Sequence, residues 1–423
     1  MDWSSVYRLF SQQRIDPLVL FNIVRKHALQ ELKEHPRIVA HMDDTILKKT
    51  GRKIPGTSWR RDPLGPAFHT NFIWGQRFLQ ISLALPDQQG CCQSRAIPVD
   101  FHHCPTVKKP GKKSTEQDHA YYREQQKQLK LSRQGCERLD QLRSSLDDQG
   151  VGNKQLVVSV DGSYTNKEVL KNLPERTTLI GRIRKDTKLY VPPEEQPVKG
   201  RKRVYGQRLP TPEQIRQSDQ YPWVQVKAWA AGKEHDFKVK VIRDILWRSA
   251  GEKHHLQLVV IKPLGYRLTK SSPILYREPA YLICTDPELN INELLQDYLW
   301  RWEIEVNIRE EKTLLGCGQA QVRNPESVQS VPAFIAAMYA LLLLATHRSL
   351  KSSNQKMLPR PKWYKKKQQK RHSTGDIINN FRAQLWSKAI GLNFSSFVNQ
   401  ELKSRSYKNG SNPFTSAVFY VRN

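Results

Sequence analysis

Apolar runs of strand length alternate with segments of helix length along the first part of the chain. Residues 37–42 are mostly apolar and are followed by Asp43 and Asp44, which predicts a short buried strand with carboxylates at its C-terminal tip. Residues 155–160 repeat this form and are followed by Asp161. The remaining segments predict strands at 68–85, 95–102 and 177–183 and helices at 5–35, 114–146 and 167–172. Acids therefore follow two buried strands that lie far apart in the sequence.

Residues 186–279 have a different pattern, because apolar and polar positions alternate with a period of two. Val224 and Val226 alternate with polar residues, and Lys238 and Lys240 alternate with apolar ones. This pattern predicts an antiparallel sheet that is apolar on one face and basic on the other.

Residues 298–312 have the composition of a helix. At about 100° per residue, Tyr298, Arg301, Glu305 and Lys312 share one arc about 60° wide. One interpretation is a solvated face on which Arg301 and Glu305 form an i,i+4 ion pair. The other is a carboxylate that binds a metal ion and is flanked by groups that bind phosphates.

The longest apolar run, from Val331 to Ala345, is shorter than the roughly 18 residues that a membrane span needs. We predict a buried core helix that begins at Asn324 and Pro325, and no association with a membrane. The N-terminus lacks a basic region followed by an apolar run, so we expect no secretory signal. Six cysteines in 423 residues do not make a disulfide scaffold, which favours a reduced cytosolic setting.

The charge of the chain narrows the class of its partner. Its 69 lysines and arginines exceed its 40 acids and give a net charge of +29. Such a surplus favours a polyanion, with nucleic acid the first candidate and an anionic membrane the second. The segment Pro359–Arg371 holds seven basic residues together with Trp363 and Tyr364. It is either a disordered linker or an arm that binds a nucleic-acid backbone.

Asp43, Asp161 and Glu305 suit a site that breaks phosphodiester bonds. Two Mg²⁺ ions roughly 3.5–4 Å apart can activate the attacking oxygen and stabilise the leaving one. Mg²⁺ prefers oxygen ligands, which two acids at neighbouring strand ends and a third on a crossing helix can supply. Because side chains alternate along a strand, only one of Asp43 and Asp44 can face such a site. Each aspartate alone can also be a turn or N-cap residue.

Three motifs resemble those of the DDE transposases of the insertion-sequence-four superfamily. They are Asp-x-Thr at 43–45, Asp-Gly at 161–162 and Tyr-x-x-Arg-x-x-x-Glu-x(6)-Lys at 298–312. The first motif favours Asp43 over Asp44, and its context, with Lys49 and Gly51, is similar to the insertion-sequence-701 branch. The resemblance covers about residues 36–350 of the sequence. It implies an α/β fold: a ribonuclease-H-like mixed sheet flanked by helices, with a mostly β insertion domain before the last catalytic helix.

The resemblance also implies a cut-and-paste DNA transposase. Such an enzyme cleaves the ends of an insertion sequence, proceeds through a hairpin intermediate and transfers the freed strand into target DNA. It uses two Mg²⁺ ions, for which Mn²⁺ can substitute. The motifs assign catalysis and metal binding to three acids, and DNA binding to three other residues: Asp43, Asp161 and Glu305 in the first set, and Tyr298, Arg301 and Lys312 in the second.

The implied partners are double-stranded DNA, as terminal inverted repeats and as target, and a second copy of the chain in a synaptic dimer. The implied location is the bacterial cytoplasm, in association with the nucleoid. The family also holds a flipped base on a tryptophan of the insertion domain. Trp223, Trp229 and Trp247 are candidates, and no local motif selects one of them.

We divide the chain into five regions. They are a short helical N-terminal segment at 1–35, the first part of the core at 36–185, a β-rich insertion domain at 186–279, the catalytic and apolar helices at 280–350, and a basic C-terminal region at 351–423. Two other functions stay open: an inactive transposase-derived DNA-binding protein, and a ribonuclease-H-like nuclease that does not transfer strands. The presence of all three acids argues against the first.

Overall fold

A sheet of ten strands organises the chain in the computed structural model. The structure describes residues 3–62, 65–66, 68–87, 92–194, 202–267, 271–352 and 371–389. The strands of these residues are β1 (Arg37–Lys48), β2 (Ser58–Arg61), β3 (Phe72–Pro86), β4 (Ser94–His103), β5 (Gln155–Val160), β6 (Thr177–Arg182), β7 (Val224–Ala230), β8 (Lys233–Trp247), β9 (Gly251–Ile261), β10 (Gly265–Tyr266), β11 (Leu275–Tyr276) and β12 (Ala280–Cys284). Strands β10 and β11 pair with each other, and the other ten form the sheet.

Strand β1 lies inside this sheet between two partners of opposite direction. It runs parallel to β5 from Arg37 to Met42, and antiparallel to β3 from Ala40 to Lys48. Ile38, Ala40 and Met42 on one face and Val39 and His41 on the other are buried, as expected of a strand covered on both faces. The strand does not end at the two acids as the sequence pattern predicts. It continues to Lys48 because β3 supplies hydrogen bonds beyond the point where β5 ends.

The order of the strands defines the fold class. Strands β4, β3 and β1 are antiparallel neighbours, and β1, β5 and β6 are parallel neighbours. This order, β4-β3-β1-β5-β6, is that of a ribonuclease-H-like sheet, and β2 adds a short strand to β3. The predicted mixed α/β class is therefore confirmed.

The strands of the predicted insertion region extend this sheet. Strand β12 pairs antiparallel with β6 on one side and with β9 on the other, and β8 and β7 follow β9. Apolar residues of β7, β8 and β9 pack in one cluster with those of β5, β6 and β12. The domain boundaries at 186 and 279 stay predictions. Strands on both sides of each boundary belong to the same hydrogen-bonded sheet.

Helices precede, separate and follow the strands along the chain. They are α1 (Trp3–Ser11), α2 (Pro17–Glu31), α3 (Glu116–Gln128), α4 (Leu131–Asp148), α5 (Lys167–Lys171), α6 (Pro212–Gln217), α7 (Ile291–Trp300), α8 (Trp302–Thr313), α9 (Pro325–Ser352) and α10 (Thr374–Ala389). The segment predicted as one helix around Glu305 consists of α7 and α8, with Arg301 between them. Arg301 keeps helical dihedral angles, φ −53° and ψ −28°, and its N–H donates to the carbonyl of Tyr298 at 3.1 Å.

Helix α7 fixes this segment on the sheet. Asn290 caps its first turn, its side chain accepting from the N–H of Asn292 at 2.9 Å. Leu294 and Leu295 are fully buried in the same cluster as residues of the sheet. Helix α8 is fixed by polar groups, since Asn307 accepts from Ser82 at 3.2 Å and donates to the carbonyl of Ala96 at 3.2 Å.

The chain divides into two units, Met1–Met338 and Tyr339–Asn423, and α9 crosses the division. In the first unit, alanines of α9 pack with Phe21, Phe78 and Phe101. Residues 325–349 of α9 are long and apolar enough to span a membrane by length and composition, and half of that window is buried. Core helices of soluble proteins pass the same test. In the second unit, Ser373 and Asp376 form reciprocal capping bonds at the start of α10. The predicted basic arm, apart from Arg371, lies outside the described residues.

Candidate active site

The register of β1 and β5 puts two of the predicted acids side by side. Met42 of β1 is opposite Val160 of β5 in the last pair of this parallel ladder. Asp43 is the next residue of β1, and Asp161 directly follows the end of β5. The pKa of Asp43 is raised to about 7, chiefly because burial removes water from its carboxyl group; Arg301 opposes this rise and the charge of Asp161 adds to it. The two carboxylates are thus electrostatic neighbours.

Arg301 joins the strand to the helix. Its Nη1 atom lies 3.1 Å from Oδ2 of Asp43, and its Nη2 atom donates to Oε1 of Glu305. The side chain of Arg301 is 15 % exposed, and that of Glu305 is 35 % exposed. The i,i+4 ion pair expected of a solvated helix face is therefore present. Arg301 also pairs with Asp43 on β1. A residue predicted to bind phosphate therefore contacts two predicted metal ligands, Asp43 and Glu305.

A cavity of about 340 Å³ opens beside these acids. Its walls carry four acids, four basic residues and five others: Asp43, Asp44, Asp62 and Asp161; Lys48, Arg61, Arg77 and Lys312; and Thr45, Ile46, Ile73, Leu131 and Ser163. Lys312 thus shares the cavity with Asp43 and Asp161. Burial lowers its pKa from the ordinary value of a lysine. A cavity lined by both carboxylates and cations can hold a phosphate together with its metal ion.

Tyr298 is partly buried beside Arg301. Its pKa is raised, first by burial, while the nearby cations Arg301 and Arg182 oppose the rise. The charge of Asp161 also acts on it. The structure therefore brings this tyrosine close to both Arg301 and Asp161.

The neighbours Asp43 and Asp44 face different partners, as strand alternation requires. Asp44 accepts a hydrogen bond from the hydroxyl group of Tyr164 at 2.9 Å, and lies 3.3 Å from Nε of Arg77. Asp43 instead contacts Arg301 of the helix segment. The arrangement brings Asp43 rather than Asp44 to Glu305, which agrees with the Asp-x-Thr motif.

The donors of this site suit a hard divalent cation. Asp43, Asp161 and Glu305 offer oxygen ligands only, and a bound cation would oppose the effects of burial and of the Asp161 charge that raise the pKa of Asp43. Within the described ranges, no three His, Cys, Asp or Glu side chains are grouped closely enough to share one ion. Arg301 bridges Asp43 and Glu305, so Glu305 would join a shared metal only after Arg301 releases it.

Several residues of the site carry no motif that could reveal them in the sequence. Ser163 donates twice to Asp161, from its N–H at 2.9 Å and from its hydroxyl group at 3.1 Å. Tyr164 and Arg77 hold Asp44, and Arg77 reaches it from the neighbouring strand β3. The Ser-Tyr pair after Asp161-Gly162 is the one local signal, because it follows the strand end directly.

The three candidate tryptophans lie in different surroundings. Trp247 lines a larger cavity of about 720 Å³, together with Gly162 and Arg182. The ring of Trp223 has the Nζ atom of Lys240 4.5 Å from its centroid. The backbone N–H of Trp229 donates to the side-chain oxygen of Gln296 at 2.8 Å. Of the three, Trp247 is the one that shares a cavity wall with a residue adjacent to Asp161.

The comparisons with known proteins agree with this geometry. Residues 2–253 match the profile of a family described as DDE superfamily endonuclease. This range includes Asp43 and Asp161 and ends before Glu305. No curated protein matches the chain. Because the family profile matches more than half of the sequence, the chain belongs to the DDE superfamily endonucleases.

Proposed function

We propose that this protein is a DNA transposase of the insertion-sequence-four superfamily, close to the insertion-sequence-701 branch. It cleaves the ends of an insertion sequence and joins them to target DNA. One observation carries the proposal: the Arg301 contact that links Asp43, the neighbour of Asp161, to Glu305. The contact joins two parts of the chain that are distant in the sequence, and Asp161 follows the strand beside Asp43.

In the proposed reaction, water first attacks the phosphorus atom at the end of the element. The bond to the 3′ oxygen breaks, and that oxygen leaves as a hydroxyl group. The freed 3′-hydroxyl group then attacks the opposite strand to form a hairpin. In that step the flanking strand leaves with its own 3′-hydroxyl group. A second water molecule then hydrolyses the hairpin and frees the 3′-hydroxyl group of the element to attack target DNA, so that each transfer exchanges one phosphodiester bond for another. DDE superfamily endonucleases generally use divalent metal ions. Two Mg²⁺ ions, or Mn²⁺ in their place, would activate the attacking oxygen and stabilise the leaving oxygen.

The residues of the chain have separate tasks in this proposal. Asp43, Asp161 and Glu305 hold the cations, while Tyr298 and Lys312 bind the phosphates of the element's end. Arg301 neutralises Asp43 and Glu305 before DNA binds. An arriving phosphate competes for its guanidinium group, because Arg binds phosphate through the same paired N–H donors. Substrate binding and release of Glu305 are then coupled.

The partners follow from the same proposal. They are the terminal inverted repeats, the target DNA and a second copy of the chain in the synaptic complex. The net charge of +29 supports a polyanionic partner. The protein would act in the bacterial cytoplasm, in association with the nucleoid.

The test is substitution of Glu305 by Gln, measured on supercoiled DNA that carries the element's own ends. Cleavage in Mg²⁺ should fall by on the order of a thousandfold, while binding to the same DNA stays nearly unchanged. Glu310→Gln on the same helix is the matched control and should cleave like the wild-type chain. Equal cleavage by the Glu305→Gln variant and the wild-type chain would remove the assignment.

A nuclease that cuts without strand transfer is the second candidate, because the matched family is described only as an endonuclease. Supplying the wild-type protein with a pre-cut end and a target plasmid separates the two functions. Joined product supports the transposase. Cleavage of an uncut end without joining supports the nuclease.

A further inference from the structure

An aromatic surface lies on the ribbon formed by β2 and β3. Trp59 pairs with Trp74 across the two strands, and Arg61 pairs with Phe72. Because alternate residues of a strand share a face, these four side chains lie on the same side of the ribbon. We call this set the ribbon face.

Arg52 holds the ribbon face in place. Its guanidinium carbon lies 4.7 Å from the ring centroid of Trp59 and 4.8 Å from that of Trp74. The two rings meet edge to face at 5.6 Å, and the indole N–H of Trp74 donates to the carbonyl of Gly51 at 3.1 Å. These contacts fix the rings and still leave Trp59 55 % exposed.

The exposure of this surface needs an explanation. Phe72 is 56 % exposed on the same face, so two large aromatic side chains are open to solvent beside two arginines. Aromatic and Arg side chains are typical of binding surfaces, because their rings and planar groups stack on a partner at little entropic cost. An uncharged apolar partner would leave the guanidinium groups of Arg52 and Arg61 poorly solvated.

The ribbon face continues into the candidate active site. Arg61 lines the cavity that also holds Asp43 and Asp161. Lys48 lines the same cavity at the end of β1, where it is opposite Gly75, the residue after Trp74. A strand of DNA in the cavity would therefore contact Arg61 and Lys48, with the aromatic rings of the ribbon face beside them.

We propose that the ribbon face binds an unpaired nucleotide beside the cleaved phosphate, with its base stacked on Trp59 and Phe72 and its backbone on Arg61. This proposal rests on the proposed function, since it extends the same DNA path. A paired base is covered by its own neighbours in the duplex, so an unpaired base is the one whose face is available to these rings. The cations suit its phosphates.

The test measures binding of the full chain without divalent metal by fluorescence anisotropy. The two probes are a fluorescent duplex with a short single-stranded 3′ tail and the blunt duplex of the same sequence. We expect the wild-type chain to prefer the tailed probe. Trp59→Ala should weaken binding to that probe about fivefold or more and change binding to the blunt duplex by less than about twofold. Trp59→Phe should keep most of the affinity.

Tyr121→Ala is the matched control, because Tyr121 is a similarly exposed aromatic residue, on α3. It should not change the preference. Equal binding of the two probes by the wild-type chain, or an equal loss on both probes in Trp59→Ala, would overturn the proposal.

The outcome is separable from that of the proposed function. A Trp59-dependent preference without Mg²⁺-dependent cleavage would support the ribbon face and remove the transposase. Cleavage that depends on Glu305 without such a preference would do the reverse.

Discussion

Arg37 and Arg301 each form ion pairs with two carboxylates where β1 meets the α7–α8 segment. These two charged clusters differ in whether a ligand can reach them. Arg37 begins β1 and holds Asp297 through two bonds, from Nε at 2.8 Å and from Nη2 at 3.2 Å. Its Nη1 atom lies 2.9 Å from Glu293. The side chain of Asp297 is 1 % exposed, so the acid that Arg37 holds by two bonds is shut off from solvent, whereas Glu293 at the edge of the cluster is 47 % exposed. We call it the closed cluster.

The second cluster lies further along β1, around Arg301. Its two acids, Asp43 and Glu305, are 18 % and 35 % exposed. A third acid, Asp161, stands at the end of the adjacent strand and accepts its hydrogen bonds from Ser163. Asp43 and Asp161 line a cavity. We call it the open cluster.

The comparison separates structural from functional polar groups. Both clusters contain one arginine and two acids, so an ion pair at this junction does not by itself indicate function. The open cluster differs by an additional acid and by a cavity that can admit a ligand. Buried ion pairs are costly to form, and retaining one with surplus negative charge is expected where a cation or a phosphate completes it.

The largest expected effect separates the clusters by activity. Asp161→Asn should lower Mg²⁺-dependent cleavage by on the order of a thousandfold or more, because an amide is a poor ligand for a hard cation. Its stability should stay within about 1 kcal/mol of the wild-type value, since Asn can still accept from Ser163. Cleavage rates and urea unfolding of the two proteins check this. Cleavage by Asp161→Asn at the wild-type rate would remove Asp161 from the site.

The next effect separates the clusters by stability. Arg37→Met leaves Asp297 buried without its partner and should lower the free energy of unfolding by about 3–5 kcal/mol. Arg301→Met should cost less, because the acids that it abandons are partly exposed. Urea unfolding with and without Mg²⁺ tests both. Mg²⁺ should restore stability in Arg301→Met and not in Arg37→Met, and equal responses would show that the clusters do not differ.

The sequence predicts the acids of the open cluster better than the way they are held. An apolar strand followed by Asp-Gly and a helical arc of polar groups are local patterns, and they indicate Asp161 and Glu305 directly. The class of fold follows from the motifs and is confirmed. The contact between Arg301 and Asp43 depends on how α7 packs on the sheet, which no local pattern contains.

Other features escape prediction for the same reason. The length of β1 is set by β3, which lends it hydrogen bonds as far as Lys48. The pairing of β9 with β12 joins the predicted insertion to the core sheet, and period-2 alternation cannot reveal which strand is the neighbour. The closed cluster is likewise invisible in sequence, because Arg37 and Asp297 lie at opposite ends of the first unit's sequence. Non-local pairing, rather than local propensity, decides these features.

A buried acid outside both clusters extends the comparison, because its described hydrogen-bond partner is an amide and not an arginine. Glu311 of α8 is 1 % exposed, and Gln80, with its amide in the orientation that satisfies both neighbours, donates to it at 3.0 Å. Burial raises the pKa of Glu311 to about 8. The folded state therefore favours the neutral acid. The stability that this gives is complete below the ordinary pKa of a glutamate and is lost as the pH rises to about 8.

Glu311→Gln should remove that loss. Its free energy of unfolding should exceed that of the wild-type chain by about 2–4 kcal/mol at pH 8 and by much less at pH 5, because the amide has no proton to lose. Urea unfolding at the two pH values measures the difference. Glu310→Gln, a partly exposed neighbour on the same helix, should stay within about 0.5 kcal/mol of the wild-type chain at both. A Glu311→Gln variant that is less stable at pH 8 would mean that the acid is ionised in the fold.

The smallest expected effect decides between the two adjacent aspartates. Tyr164→Phe removes the hydroxyl group that donates to Asp44 at 2.9 Å, and should cost about 1 kcal/mol of stability. If Asp43 is the metal ligand, cleavage should fall only a few-fold, because Asp43 keeps its contact with Arg301 and its place beside Asp161. If Asp44 is the ligand, the same change alters the immediate surroundings of the metal and should cost about 10–100-fold in metal affinity or activity. Mg²⁺ titration of cleavage distinguishes these outcomes. A small loss of cleavage would show that Asp44 has a structural role, like the acids of the closed cluster, although it is the sequence neighbour of Asp43 in the open cluster.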